Sequence, residues 1–250
     1  MVNRVEEYIK MDKVENDHWW YKSLRELVLN TIDKEFQHRR GITILDAGCG
    51  TGGLMNYLIN NQLTNIEGFD ISSTAIDIAK KKYLNVSIGD LEQYRYNDKK
   101  YDVIISNDTM YFFSLDEQKK ILDEFYKSLN YNGIVILNLP YSNIFSGMHD
   151  KAVGIQQRFT QKMINDMIDF SKYGIVRKAY WPFILFPIIL LTRSFQKLKL
   201  FLDKDIEIKS DIDMPSNWVN NILYQIVKNE NKYLSKKPIG SSLFLVLKRI

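Results

Sequence analysis

The sequence predicts an α/β fold built around a doubly wound, mostly parallel sheet. From residue 41 onward, short apolar runs typical of strands alternate with helical patterns. One of these runs, 103–105, is continuously apolar, as expected of a parallel strand that is covered on both faces. A glycine-rich turn at 48–53 joins the first strand to the first helix of this alternation. With 250 residues, the chain is long enough to bury a large core.

The individual elements follow from apolar runs and from the residues that start and stop them. The predicted strands are 42–46, 66–70, 86–88, 101–106, 134–139, 175–180 and 242–247. Helices are expected to follow Ser72, Ser114 and Thr160, because a hydroxyl side chain can cap a helix N-terminus, and Ser114 also opens a capping box. The Asn-Gly pair at 132–133 predicts a turn, and residues 141–160 predict a loop.

The chain divides into three predicted parts. They are an N-terminal helical lid, a core in two segments and a helical insertion before the last strand, at residues 1–40, 41–180 plus 241–250, and 181–240, respectively. Aromatic residues at 18–21 of the lid can either pack on the core or cover a ligand. The insertion opens with an apolar run at 181–191, which is followed by basic residues.

Composition excludes several classes of protein. The 34 basic and 30 acidic residues give a net charge of +4, which is too balanced to predict nucleic-acid binding. The single cysteine, Cys49, excludes an internal disulfide and favours a reducing compartment. A polar N-terminus without a signal pattern and the absence of a run long enough to span a bilayer predict a cytoplasmic protein. No His/Cys cluster has zinc spacing, so no metal is predicted.

The glycine-rich turn at 48–53 predicts a nucleotide-binding element. It lies between a strand and a helix N-terminus, and glycines let a ligand approach the main chain closely. Asp70 and Asp90 follow at the ends of the next two strands, where a carboxylate can accept hydrogen bonds from ribose hydroxyls. This pattern suits both NAD and S-adenosylmethionine. However, Asp46 before the turn and Gly52 within it depart from the dinucleotide pattern G-x-G-x-x-G.

Four segments carry a resemblance to a known family. They are LDAGCGTG at 45–52, GFDIS at 68–72, GDL at 89–91 and YDVIISN at 101–107. These segments resemble motifs of the class I S-adenosylmethionine-dependent methyltransferases, and the resemblance covers residues 41–140 well. The segment 15–21 with Arg25 is similar to the N-terminal lid of a bacterial subgroup whose members modify glycans, lipids or small metabolites.

The resemblance implies a fold, a reaction and a set of binding residues. The fold is a Rossmann-like, seven-stranded sheet whose last strand pair is antiparallel. The reaction moves a methyl group from S-adenosyl-L-methionine to an O or N atom of a small-molecule acceptor, such as a sugar or cell-envelope precursor, and leaves S-adenosyl-L-homocysteine. The implied cofactor-binding residues are Tyr21, Arg25, Asp46, Gly48, Gly50, Asp70, Ile71, Asp90, Leu91 and Asn107.

The same resemblance implies roles for several of these residues. The backbone at Gly48 and Gly50 holds the methionine part of the cofactor, and Asp70 takes the ribose. Asp90 and Leu91 flank the adenine, and Asn107 lies beside the sulfonium. Tyr21 and Arg25 close over the cofactor, because a guanidinium can pair with its carboxylate.

Candidate catalytic residues follow from the need of a hydroxyl acceptor for a base. His149 is the first candidate, since imidazole removes protons near neutral pH and the chain has only three histidines. The alternative is a loop histidine that bonds to the backbone or pairs with Asp150. Tyr111 is a second candidate, although it can equally serve in packing. His18 is expected to shape the lid, and His38 is expected to be exposed.

Several alternatives stay open from the sequence. The protein can be an NAD-dependent oxidoreductase or a non-catalytic S-adenosylmethionine-binding protein. The apolar run at 181–191 can form a cap over the active site, a dimer contact or a surface for a membrane or lipid-linked substrate. The chain can therefore be a monomer or a homodimer.

Overall fold

A computed structural model of the chain describes residues 4–37, 41–93, 99–155, 157–202 and 213–250. Parts of the predicted lid and insertion, and His38, lie outside these residues. The described helices are α1 Arg4–Val14, α2 Trp19–Glu35, α3 Gly53–Asn60, α4 Ser73–Lys81, α5 Leu115–Ser128, α6 Met148–Val153, α7 Gln161–Met167, α8 Phe186–Leu202 and α9 Asn217–Tyr233. The strands are β1 Ile44–Ala47, β2 Ile66–Asp70, β3 Val86–Ile88, β4 Tyr101–Asn107, β5 Leu129–Pro140, β6 Tyr173–Trp181 and β7 Ser242–Arg249.

The strands form one seven-stranded sheet in the order β3-β2-β1-β4-β5-β7-β6. The first five strands are parallel, whereas β7 pairs antiparallel with both β5 and β6. The chain changes direction across the sheet at β1, because β2 and β3 lie on one side of this strand and β4 lies on the other. The predicted doubly wound sheet with an antiparallel last strand pair is confirmed.

Both faces of the sheet are covered by helices. Val103 and Ile105 of β4 pack on one face with α2, whose Val28 and Ile32 are fully buried. Ile104 points to the opposite face, where it joins a cluster that includes Phe125 of α5. Alternate residues of one strand are thus buried on both sides, which is why the run is continuously apolar.

The predicted helix starts are confirmed by their capping bonds. The side chains of Ser72 and Thr160 accept hydrogen bonds from backbone N–H groups three residues later. Ser114 and Glu117 form the predicted capping box at the start of α5. Each bond satisfies a donor that the first turn of a helix leaves without an intrahelical partner.

Two local predictions are wrong. The segment at 132–133 is not a turn before a strand: β5 already begins at Leu129, and Asn132 adopts a φ of 62° where the pairing with β4 shifts register. Residues 141–160 are not a loop, because they contain a short 3-10 helix and α6, which carries His149. The strand predicted at 175–180 is present as β6, which also includes Trp181, a fully buried residue that pairs with Ser242.

The insertion is tied to both the core and the lid through buried polar contacts. Glu230 of α9 accepts hydrogen bonds from the backbone N–H groups of Phe183 and Ile184, both at 2.7 Å, and lies 3.4 Å from the ammonium of Lys237. Asn220 accepts from the Trp19 backbone N–H at the start of α2. No helix in the described part of the chain is both long and apolar enough to cross a bilayer.

Candidate active site

A cavity of about 1600 Å³ lies over the carboxyl ends of β1, β2 and β4. Its wall combines the lid, the glycine loop, α6 and the start of α8. Every site residue predicted from the sequence lines it, namely Tyr21, Arg25, Asp46, Gly48, Gly50, Asp70, Ile71, Asp90, Leu91, Asn107, Tyr111 and His149. The structure therefore brings these residues together, as expected of a sheet whose parallel strands end at one edge.

The glycine loop is shaped by backbone conformations that favour glycine. Gly48 and Gly50 have φ values of 87° and 53°. The N–H of Gly48 donates to the Phe69 carbonyl at 2.8 Å, and the N–H of Gly50 donates to the Asp70 carboxylate at 2.9 Å. A Cβ atom at Gly48 would also collide with the side chain of Thr109. These two glycines hold the main chain against the end of β2.

Asp70 is the best fixed carboxylate of the cavity. Besides the N–H of Gly50, it accepts hydrogen bonds from the N–H of Ser72 at 2.9 Å and from the hydroxyl of Tyr8 at 3.2 Å. Farther along the wall, Asp90 accepts from the N–H of Glu92 at 3.0 Å, and Ile71 is 59% exposed. The carboxylate of Asp90, a hydrogen-bond acceptor, and the exposed apolar side chain of Ile71 therefore lie near each other on the cavity wall.

Helix α1 closes over the glycine loop. The Met11 side chain lies against Gly50, and the Glu15 carboxylate lies over Gly53 at the start of α3. Lys82, the residue directly after α4, holds this arrangement, because its ammonium pairs with Glu15 at 2.7 Å and with Asp12 at 2.6 Å. The first helix thus forms the roof of this end of the cavity.

Nε of Arg25 and Oδ1 of Asn107 are two of the buried polar atoms on the cavity wall that have no hydrogen-bond partner within the described residues. The Arg25 guanidinium is otherwise positioned, since it donates to the Asn16 carbonyl at 2.7 Å and lies 5.3 Å from the Tyr57 ring centre. Burial lowers the pKa of Arg25. Because buried polar groups are normally hydrogen-bonded, both atoms fit a polar ligand in the cavity.

The negative charge at the glycine loop suits a cationic ligand group. Asp46 is buried in β1, and burial, followed by the charges of Asp70 and Glu15, raises its pKa to about 7. A positive charge placed among these three side chains would favour the ionised form of Asp46. Among the described residues, no three His, Cys, Asp or Glu side chains come together in a way that could hold a metal ion.

Asp108 is a site residue that the sequence interpretation missed. It follows β4 with a φ of 54°, lines the cavity, and accepts hydrogen bonds from the Asn138 amide at 3.0 and 3.1 Å. Burial raises its pKa to about 7, against the opposing effects of Asn138 and Arg158. Its position directly after the fourth strand, and the polar Asn138 within an apolar fifth strand, were the signals available in the sequence.

The environment of His149 differs from the expected loop. Its neighbour Asp150 is buried and binds the Arg158 guanidinium through both oxygens, at 2.7 and 2.6 Å. That pair joins α6 to the segment before α7, so His149 lies on a short helix fixed to the core. Tyr111 lies in a 3-10 helix with its ring 4.3 Å from that of Phe112.

The insertion supplies the remaining wall of the cavity. Its contribution is mostly apolar and comes from Leu185, Ile188, Ile189, Thr192, Arg193, Asp213, Pro215 and Leu223. A ligand that extends from the glycine loop toward α8 therefore passes from polar into apolar surroundings.

Comparisons with known proteins agree with this geometry. Residues 44–133 match the model of a methyltransferase domain. The malonyl-[acyl-carrier protein] O-methyltransferase of Bacillus anthracis is 29% identical over 133 residues, which cover 51% of this chain and 48% of that protein. A carboxy-S-adenosyl-L-methionine synthase of Campylobacter jejuni is 29% identical over 101 residues, which cover 38% and 43% of the two chains. The chain thus matches about half the length of these curated relatives.

A solved structure extends the likeness in fold to the whole chain. The magnesium protoporphyrin IX methyltransferase of Synechocystis, determined with bound S-adenosylmethionine, superimposes with a TM-score of 0.53 at 15% sequence identity. The superposition covers 100% of this chain and 86% of that one. At this identity the likeness concerns the fold.

Proposed function

We infer that this chain, which carries a class I S-adenosylmethionine-dependent methyltransferase domain, transfers a methyl group from S-adenosylmethionine to an O or N atom of a small-molecule acceptor. One observation supports this most directly. The glycine loop, the Asp70 carboxylate and the buried, unpartnered atoms of Arg25 and Asn107 all face one cavity. This set offers acceptors for hydroxyls, a cation for a carboxylate and carboxylates near a cationic centre.

The residues of the cavity are assigned to parts of the cofactor as follows. Asp70 binds the ribose hydroxyls, and Asp90, Leu91 and Ile71 surround the adenine. Arg25 binds the carboxylate of the methionine part, which gives its Nε a partner. The backbone at Gly48 and Gly50 lies along that part, and Asp46 offers a carboxylate to its ammonium. The cofactor supplies an electrophilic methyl group on a sulfonium.

The protein contributes mainly alignment and exclusion of water. Helix α1 and Tyr21 close one side of the cavity, and the insertion closes the other. Alignment of two reactants can lower a barrier by roughly 7–11 kcal/mol, so a wall that fixes the acceptor is a substantial part of catalysis.

A base is needed when the acceptor is a hydroxyl, and two cavity groups suit that role. His149 is the candidate from the sequence, and Asp108 is the candidate from the structure. A carboxyl group with a pKa of about 7 is half ionised at neutral pH and mostly ionised above it, and the ionised form can take the O–H proton of an acceptor. Tyr111 remains a third, weaker candidate that also lines the cavity.

The acceptor is proposed to be a sugar or a cell-envelope precursor. The bacterial subgroup with a similar lid supports this class. The apolar contribution of α8 supports an acceptor with an apolar part, including a lipid-linked one, because it extends the cavity beyond its polar end. The malonyl-[acyl-carrier protein] O-methyltransferase relative points to carboxyl oxygen as another acceptor atom.

Two other functions are less well supported. An NAD-dependent oxidoreductase does not account for Asp46, because a carboxylate at the glycine loop would repel the anionic pyrophosphate of NAD. A non-catalytic binding protein needs no base in the cavity, whereas His149 and Asp108 both line it. The relative that is a carboxy-S-adenosyl-L-methionine synthase adds a third possibility. In that case S-adenosyl-L-methionine is itself the molecule from which the product is made.

Calorimetric titration separates these functions. We expect S-adenosylhomocysteine to bind and NAD not to bind. Asp70→Ala should weaken S-adenosylhomocysteine binding at least tenfold, because it removes the ribose acceptor and releases the Gly50 N–H. Asp77→Ala, an exposed aspartate on α4, serves as the matched control and should bind normally. Binding of NAD instead of S-adenosylhomocysteine would overturn the proposed function.

Activity is then tested by release of S-adenosylhomocysteine from S-adenosylmethionine with sugar, carboxylate and amine acceptors. Release that depends on one acceptor class supports transfer. Cofactor binding with no release on any class supports the non-catalytic alternative.

A further inference from the structure

We propose that the outward face of α8 binds an anionic membrane surface and brings the mouth of the cavity to it. This face, together with Ile184 in the turn just before it, is called the apolar stripe and consists of Ile184, Ile188, Leu191, Phe195, Leu198 and Leu202. Vesicle binding needs no cofactor, so the inference can succeed or fail independently of the proposed methyl transfer.

The apolar stripe is exposed along its whole length. The exposed fractions of its side chains are 47%, 60%, 61%, 65%, 52% and 73% in chain order. Successive members are alternately four and three residues apart, which places the five that belong to α8 on one side of the helix. Isolated exposed apolar residues are ordinary, but a continuous row of six large ones marks an interaction surface.

The charges on α8 favour an anionic partner. Between Phe186 and Leu202 the helix has three basic residues, Arg193, Lys197 and Lys199, and no acidic one. Lys199 is exposed, whereas Lys197 also donates to the backbone carbonyls of Asn143 and Ile144. A helix with an exposed apolar face and exclusively positive charges suits the boundary between headgroups and acyl chains of an anionic bilayer.

A second copy of the chain is a less suitable partner. A two-fold interface places the same surface of both protomers together, so the positive charges of one α8 would approach those of the other. Like charges that face each other across an interface disfavour association. An anionic bilayer carries negative charges, so it would attract the same basic residues.

The stripe adjoins the cavity. Ile188 is 60% exposed as a member of the stripe and also lines the cavity, as does its neighbour Ile189. One helix therefore forms both the cavity wall and the exposed apolar surface. An amphiphilic acceptor resting at a membrane surface could enter the cavity past Ile188 without crossing bulk water.

Cosedimentation of the full chain with vesicles tests the proposal. We expect binding to phosphatidylcholine vesicles that contain phosphatidylglycerol, and at least tenfold weaker binding to phosphatidylcholine alone. Phe195→Glu should reduce binding at least tenfold, and Lys199→Gln should reduce it severalfold. Tyr131→Glu is the matched control, because Tyr131 is a similarly exposed aromatic residue, 81% accessible on β5, and it should bind normally.

The affinity for S-adenosylhomocysteine, measured by calorimetry, should be the same in all variants, which shows that the fold and the cavity are intact. Absence of vesicle binding by the unaltered chain overturns the proposal, as does equal binding to neutral and anionic vesicles. A dimer in light scattering that becomes a monomer in Phe195→Glu also overturns it, since a second copy then covers the stripe.

Discussion

Asp46 illustrates how the burial of one carboxylate makes the stability of the protein depend on pH. Burial and the nearby charges of Asp70 and Glu15 raise its pKa from 3.8 to about 7, so the folded protein favours the protonated form. A group whose folded pKa is raised stabilises the protein below its unfolded pKa and loses that contribution as pH rises through the folded value. The stabilising contribution of Asp46 is therefore lost between about pH 4 and pH 7.

We predict that Asp46→Asn reduces the loss of stability with rising pH. The free energy of unfolding of the unaltered protein should fall between pH 5 and pH 8, and the variant should lose up to about 3 kcal/mol less over that range, because its amide does not ionise. Urea denaturation at the two pH values measures this difference. Equal pH dependence in both proteins would show that Asp46 is ionised in the folded state at pH 5.

The assignment of the base is also decided by single residues. We predict that Asp108→Asn lowers kcat by roughly 10²–10⁴-fold and removes the rise in rate with pH near 7, because it removes the carboxylate that titrates there. His149→Ala should lower kcat while retaining that rise. Cofactor affinity should stay nearly unchanged in both variants.

The pH profile of kcat on a hydroxyl acceptor provides the measurement, and Asp116→Asn, an exposed aspartate of α5, is the matched control. Loss of the pH-dependent rise in His149→Ala, with its retention in Asp108→Asn, would transfer the role of base to His149.

At the scale of elements, the start of the insertion depends on one buried carboxylate of α9. Glu230 is 1% exposed, and it accepts from two backbone N–H groups of the segment that leads into α8. Its ion pair with Lys237 is equally buried. Removal of one partner from such a pair leaves the other charge buried without compensation.

We predict that Glu230→Ala lowers the free energy of unfolding by roughly 3–5 kcal/mol. Denaturant unfolding measures the loss, and Asn229→Ala, at the exposed neighbouring position on α9, should change stability by less than about 0.5 kcal/mol. An equally small effect of both substitutions would mean that the insertion does not depend on this contact.

Helix α1 shows how an element can be recognised from sequence while its placement is not. Helical spacing predicted helices within residues 1–40, and α1 and α2 are present. The contacts that hold α1 over the glycine loop join residues far apart in sequence, such as Glu15 to Lys82 and Tyr8 to Asp70. Local spacing carries no information about such pairs.

At the scale of the whole molecule, the sheet was predictable because its strands obey strong local rules. A parallel strand buried on both faces must be apolar throughout, and glycines and acids mark its carboxyl end. The number of strands and the antiparallel last pair followed from the resemblance to a family, whereas the strand order came from the structure. The division into lid, core and insertion remains a prediction, although α2 packs in the same apolar cluster as the sheet.

The sequence by itself determined the glycine loop, the acids at the strand ends and hence the edge of the sheet where a ligand would bind. These features are local, since each depends on a residue type at the end of its own strand. Only the tertiary structure decided the buried setting of Asp108, the helical setting of His149 and the early start of β5. Each depends on a distant partner: Asn138 on the neighbouring strand, Arg158 beside Asp150, and the pairing of Leu129 with Tyr101. The energy of a buried contact is set by what surrounds it, and a local pattern does not contain those surroundings.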